Sequence, residues 1–300
     1  MMRSVCAVLF AALLLPAQTI DTLGGTTTAP SGALRGKGSL FAVTTSVVMT
    51  EYEMHMNIPG PETLTWFIFR HHSRTGVASL VWTQQTQVAG GGGPQWYSTG
   101  PIAFPLVEGN HYVLGAFWQG TLTYYYTTSS QPTPVSFGSW QRAHTLTGSL
   151  PTTLTLPAGI DSAVYYQRVT TVPVPAVVNT GTSCSATALL PRLVAADFFR
   201  TNTTTALELV DSLPSAITLF GFTGGPAVAT PLPLFNCNLW LDLSTPPVTL
   251  ASLASATGYS TLPLPVPNDP LLIGSSYSTQ GLVFGASTVD VTNAVSFTIQ

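Results

Sequence analysis

Short runs of alternating polar and apolar residues, cut by glycine- or proline-rich turns, fill most of this 300-residue chain. The clearest run spans 46–58, with Val48, Thr50, Tyr52, Met54 and Met56 on one side and Glu51, Glu53, His55 and Asn57 on the other. A period of two is the signature of a half-buried strand. Residues 63–69 (TLTWFIF) become apolar on both sides, which fits a strand at the centre of a packed sheet. Further strands are expected at 79–88, 102–106, 111–119, 122–128 and 163–170. A second series is expected at 205–210, 216–222, 238–243, 260–266, 277–284 and 294–299. Turn sequences such as 89–94 (AGGGGP), 107–110 (VEGN) and 267–270 (PNDP) separate them. Pro263 and Pro265 sit two apart, which suits an edge strand better than a central one. Strands at this spacing, without helical periodicity, predict an all-β chain of antiparallel sandwiches.

The vocabulary changes near residue 172. Trp66, Trp82, Trp96, Trp118, Trp140 and all five histidines come before it; Cys184, Cys237 and the densest Pro-Leu-Pro segments come after it. The stretch 171–183 is uncharged and carries Pro173 and Pro175, so it reads as an extended linker. The expected organisation is two jelly-roll-like β-sandwich modules, 19–170 and 184–300, joined by that linker.

The N-terminus narrows the compartment. Arg3, the apolar run 5–15 (VCAVLFAALLL) and the small residues near Ala17 predict a secretory signal peptide over 1–18. The run is too short to anchor the chain as a membrane helix. Cys184 and Cys237 then form an even pair in an exported chain, expected as a disulfide. These features point to a secreted, cell-surface or periplasmic protein.

Charge is the scarcest commodity: nine Lys and Arg and twelve Asp and Glu, or 7% of residues, against about 25% in an ordinary soluble domain. The surface must therefore be wetted by Thr, Ser, Gln and Asn. With a net charge of −3 and no basic cluster denser than Arg35-Gly36-Lys37, nucleic acid is not an expected partner. The basic stretch 70–76 (RHHSRTG) reads as an exposed hairpin tip.

Candidate chemistry is sparse. The chain has no Gly-x-Ser-x-Gly elbow and no His-Glu-x-x-His, and the glycine run 90–93 lacks a following lysine and helix, so no catalytic residues and no cofactor are expected. Glu51, Glu53 and His55 share one strand face about 7 Å apart in succession, and with His71 they form a candidate metal set; the simpler reading is a solvated face. Trp96, Tyr97, Tyr124, Tyr126 and Trp140 lie near turns or on alternating strands and form a candidate platform for sugars, whose C–H groups stack on aromatic faces. Their alternative is packing within the sheets.

Two segments resemble known proteins. Residues 263–270 (PLPVPNDP), Leu272-Ile273-Gly274, Gln280 and Thr292-Asn293-Ala294, with Cys237 upstream, resemble a C-terminal module of secreted bacterial two-module β-sandwich proteins of unknown function. Val81-Trp82, Trp96-Tyr97 ahead of Ile102-Ala103-Phe104-Pro105-Leu106, and 109–115 (GNHYVLG) resemble, more loosely, secreted jelly-roll modules found beside carbohydrate-binding and adhesive domains. The resemblance implies an exported β-sandwich accessory or surface protein. The low-charge, hydroxyl-rich β-surface, able to pack against like surfaces or polysaccharide, adds the expectation of a non-catalytic structural, adhesive or binding role at the cell surface or in a matrix. Its expected partners are polysaccharide or other envelope proteins; carbohydrate binding and periplasmic metal binding are the alternatives.

Overall fold

A computed structural model describes residues 17–157, 162–174, 176–234, 236–244 and 246–300. The predicted signal peptide falls almost wholly outside the described residues. The described chain is all-β, with a single 3-10 turn at Pro270–Leu272 and no α-helix.

Two large sheets come from the N-terminal part. The first has eight strands: β1 (Thr19–Leu23), β2 (Thr27–Ser31), β4 (Val47–Asn57), β7 (Pro94–Ser98), β8 (Phe104–Leu106), β10 (Leu122–Thr128), β14 (Ala163–Tyr165) and β15 (Gln167–Pro173). The second has seven: β3 (Arg35–Val43), β5 (Glu62–His71), β6 (Gly76–Val88), β9 (His111–Trp118), β11 (Thr133–Val135), β12 (Gly138–Thr147) and β13 (Thr153–Leu156). They enclose a core of Tyr52, Met54, Met56, Trp66, Ile68, Leu114, Trp118 and Trp140, among others.

The central segment 63–69 is apolar on both faces because both are covered. Leu64, Trp66 and Ile68 enter the core between the sheets, while Phe67 and Phe69 join a smaller cluster with Leu40, Val113 and Leu156 on the far side. Gly38 and Gly115 lie opposite each other on β3 and β9 beneath Phe67. A Cβ at Gly115 would stand 2.4 Å from the Phe67 ring, so the glycines make the notch in which that ring lies.

One irregularity decides which residues of β4 face outward. β4 pairs with β15 from Glu51↔Thr170 directly to Met49↔Thr171, leaving Thr50 unpaired. This one-residue bulge resets the alternation. The inward row is Val47, Met49, Tyr52, Met54 and Met56, all buried. Unbroken alternation had put Val48 and Thr50 in that row, an assignment the bulge corrects.

The C-terminal part builds three smaller sheets. One has five strands, in the order β16 (Val177–Thr180), β25 (Val289–Thr298), β24 (Ser276–Phe284), β19 (Ile217–Gly224) and β22 (Val248–Leu253). A three-stranded sheet holds β17 (Arg192–Ala195), β18 (Thr203–Val210) and β23 (Ser260–Val266), with the proline-bearing β23 at its edge. β20 (Leu232–Leu234) and β21 (Cys237–Leu239) form a hairpin. Their core gathers Leu193, Phe198, Phe199, Leu207, Leu209, Phe220, Val283 and Phe297. Cys184 and Cys237 are disulfide-bonded.

Within 171–183, the segment predicted as a linker, Thr171–Pro173 end β15 and Val177–Thr180 are β16, paired with β25. Only residues 174–176 lie between the two strands. Val48 and Val107 pack against the C-terminal core, so the two parts meet along a seam. There Arg70 Nη2 lies 2.5 Å from Glu208 Oε1, and Asn110 Nδ2 donates to the Ala195 carbonyl at 2.9 Å. Ser46 Oγ donates to the Val177 carbonyl at 2.7 Å. The stretch 70–76 is accordingly more than an exposed tip. Arg74 and Thr75 are exposed, but Arg70 is held by Glu208, and His72 stacks on Tyr259 with ring centroids 5.5 Å apart.

Candidate functional site

Backbone pairing assembles a cluster on the outward face of the eight-stranded sheet. His55 is in register with Trp96 on β7. On its other side the His55 N–H donates to the Tyr166 carbonyl at 2.9 Å, and the Tyr166 N–H donates to the Tyr125 carbonyl at 2.8 Å. Three aromatic rings therefore surround the imidazole: Tyr125, Trp96 and Tyr166, with centroids 4.7, 5.1 and 5.1 Å away. One step along the ladder, Glu53 is in register with Arg168 on β15 and with Ser98 on β7.

Charge is interleaved with these rings. The Arg168 guanidinium lies 3.9 Å from the centroid of Trp96, a cation–π contact, and 3.8 Å from Glu53 Oε2. Glu51 accepts a hydrogen bond from the Ser98 hydroxyl. Partial burial and the neighbouring Glu51 charge raise the Glu53 pKa against the pull of Arg168. Partial burial and the Arg168 charge lower that of His55. His55 is therefore neutral at pH 7, and its Nδ1 is enclosed with no hydrogen-bond partner among the described residues. It behaves here as a fourth flat ring. Rings beside a guanidinium and two carboxylates suit a ligand with both C–H faces and hydroxyl groups.

The residues singled out from sequence divide sharply. Glu51, Glu53, His55 and Trp96 come together on this face. Tyr97, next along β7, points inward and is buried, and Trp140 is wholly buried on β12. Neither can offer a ring face to a ligand. Tyr124 and Tyr126 pack against the inner core, with Tyr124 edge-on to Tyr165 and Lys37 Nζ 4.7 Å above it. On β10 the ring beside His55 on the outward face belongs to Tyr125, the residue between them. His71 lies on the other large sheet, against His72 at the seam, so it does not join Glu51, Glu53 and His55. Among the described residues, no group of three or more His, Cys, Asp or Glu side chains is placed to hold a metal ion.

Tyr125, Tyr166, Arg168 and Ser98 escaped the sequence reading. A signal for two of them was present: alternation along 163–170 separates Tyr166 and Arg168 from the inward Tyr165, Gln167 and Val169.

The motif residues of the C-terminal resemblance serve the architecture. Asp269 caps the 3-10 turn by accepting from the Leu271 N–H at 3.0 Å. Buried Gln280 donates to the Asn238 and Thr292 carbonyls and accepts from the Trp240 N–H, clamping the β21 segment onto the five-stranded sheet. Asn293 exchanges hydrogen bonds with the Leu193 backbone, at 2.9 and 3.0 Å.

No protein-family model matches the chain, and no curated protein does. Among solved structures, a β-glucuronidase from Parabacteroides merdae aligns over 84% of this chain at 7% identity, with a TM-score of 0.21. A protein named pT26-6p aligns over 95% at 10% identity, with a TM-score of 0.20. The chain spans 28% of the first and 66% of the second.

Proposed function

We propose that this is an exported, non-catalytic protein of the cell surface or an extracellular matrix, and that the outward face of its eight-stranded sheet binds polysaccharide. The observation that carries the reading is the cluster of Tyr125, Tyr166, His55 and Trp96 bordered by Arg168, Glu53 and Glu51. The rings supply stacking surface for sugar C–H groups, and the charged groups supply hydrogen bonds to hydroxyls. The Cys184–Cys237 disulfide supports an oxidising compartment. Among the described residues no helix is long and apolar enough to cross a membrane.

In this reading 19–170 and 184–300 are two β-sandwich modules. Their separate cores support that division, and the seam holds the pair together. A glycan array probed with the mature protein, beside Trp96→Ala and Tyr125→Ala variants, tests the binding role. The expected result is retention of a polysaccharide by the parent and at least a tenfold loss in each variant, about 1.4 kcal/mol. Binding that survives both substitutions, or no binding by the parent to any glycan, overturns it.

A further inference from the structure

β22 ends the five-stranded sheet and, among the described residues, pairs only with β19. Its sequence, VTLASL, holds no charge and no proline, and the whole stretch 243–268 around it is uncharged. Free sheet edges are normally blunted by charge, proline or brevity. The other terminal strands of the four larger sheets follow that rule. Asp21 lies in β1 and Arg192 in β17, Pro134 lies in β11 and Pro263 and Pro265 in β23, while β13, β14 and β16 have four residues or fewer. β22 breaks the rule. Val248 and Leu253 are each 66% exposed, and Leu253 lies in register with Ile217 and, beyond it, Phe284, themselves 55% and 37% exposed.

The hydrogen-bond pattern shows what this edge offers. The Ala254 N–H donates to the Ala216 carbonyl, so 254 and 216 form a hydrogen-bonded pair of the β22–β19 ladder. Alternation then turns the N–H and C=O groups of Val248, Leu250 and Ser252 toward β19, and those of Thr249, Ala251 and Leu253 toward the open side. We propose that this open side pairs with β22 of a second copy, antiparallel about a two-fold axis through Ala251, joining two five-stranded sheets into one continuous sheet.

Geometry selects that register. A two-fold axis normal to the sheet keeps each side chain on its own face, so paired residues must share a face. Centring on Ala251 sets Thr249 opposite Leu253 and Ala251 opposite itself, and every outward N–H of both strands finds a carbonyl. Centring on Leu250 would set Leu253 opposite Pro247, which has no N–H to give the Leu253 carbonyl. Charge selects the partner. An edge without a charge within 243–268 has nothing with which to hold an acidic or basic segment, whereas a copy of itself meets no like charge and sets Ala251 against Ala251, with Leu253 over the short side chain of Thr249. The small Ala251 on the axis lets the two backbones approach.

The inference does not rest on the glycan reading, since its test measures mass and not binding. Sedimentation velocity of the mature protein is expected to give a dimer at concentrations up to about 100 µM. Ala251→Pro removes an outward N–H without touching the β19 ladder, and Ala251→Lys places two ammonium groups on the axis; each is expected to weaken the dimer at least tenfold with the thermal midpoint little changed. Should Ala251→Pro disturb the fold, Ala251→Cys gives a separate readout. Its thiols meet on the axis and are expected to yield a disulfide-linked dimer under oxidation, with Leu250→Cys cross-linking far more slowly. A monomer throughout that range, species larger than a dimer, a dimer indifferent to Ala251→Lys, or no preference between the two cysteine positions overturns the proposal.

Discussion

The parts of the chain before and after Pro173 reach a fixed structure by different means. The first buries large rings: Trp66, Trp118, Trp140, Tyr52 and Tyr112 lie wholly inside, and the middle strands β5 and β9 of the seven-stranded sheet are covered on both faces. The second has fewer large rings to bury and adds links: a disulfide closing 53 residues of separation, the Gln280 clamp and the Asn293 bridge to β17. Area buried scales with the rings available. Where rings are scarce, cross-links and satisfied polar groups take over part of the task. The same contrast marks the surfaces, with an aromatic and charged face on the first part and a bare edge on the second.

The comparison breaks most readily at the buried rings. Trp66→Ala removes an indole from the centre of the first core and its hydrogen bond to Thr86, and is expected to cost about 3–5 kcal/mol in denaturant unfolding followed by tryptophan fluorescence. Replacing Cys184 and Cys237 together by serine should cost about 2–4 kcal/mol, because the loop it frees is long. Hydrogen exchange should localise that loss to the C-terminal sheets and leave β5 and β9 protected. Equal loss of protection in both parts would erase the contrast between packing and cross-linking.

Glu208→Gln tests the seam where the two strategies meet. It removes the carboxylate that neutralises half-buried Arg70 and is expected to cost about 2 kcal/mol, with added exchange at Asn110 and Ala195.

The smallest effect is a pH dependence. Burial lowers the His111 pKa to about 4, aided by the nearby Arg192, His71, His72 and Arg142, and burial followed by the His71 charge lowers His72 to about 4 against the pull of Glu208 and Asp211. In the unfolded chain both titrate near 6.5. The unfolded state then binds more protons below that pH, so their stabilising contribution is present above about pH 6.5 and is lost as pH falls toward 4. Screening at the partly open seam holds this to about 1 kcal/mol per histidine. Thermal melts across pH 4–7 should show the slope, and His111→Asn should flatten it.

Much of the fold could be read directly because period-two alternation is a local property. The segment 63–69 announced its two covered faces through Trp66, Phe67, Ile68 and Phe69, and Pro263 and Pro265 announced an edge. Alternation separates two faces without saying which one meets the core. That choice depends on the opposing sheet, and so alternation alone does not separate Tyr125 from Tyr124 and Tyr126 as the outward ring. Pairing is less local still. Nothing in the order of residues sets Trp96 beside His55, or Arg168 beside Glu53, because register comes from strands far apart in the chain. The seam was hidden for the same reason: Arg70 and Glu208 are 138 positions apart.

The Thr50 bulge also carries a consequence for how this chain can vary in length. Losing one residue from the middle of an eleven-residue strand normally turns half its side chains inside out. Here deletion of Thr50 would leave Val47, Met49, Tyr52, Met54 and Met56 in the core and Glu51, Glu53 and His55 outside, because the extra residue is the one the ladder already skips. The centre of β4 is thus a place where a codon can be gained or lost while the outward cluster keeps its composition; what changes is the local twist and the hydrogen bonds of Thr50 to the Ile102 N–H and the Thr170 carbonyl.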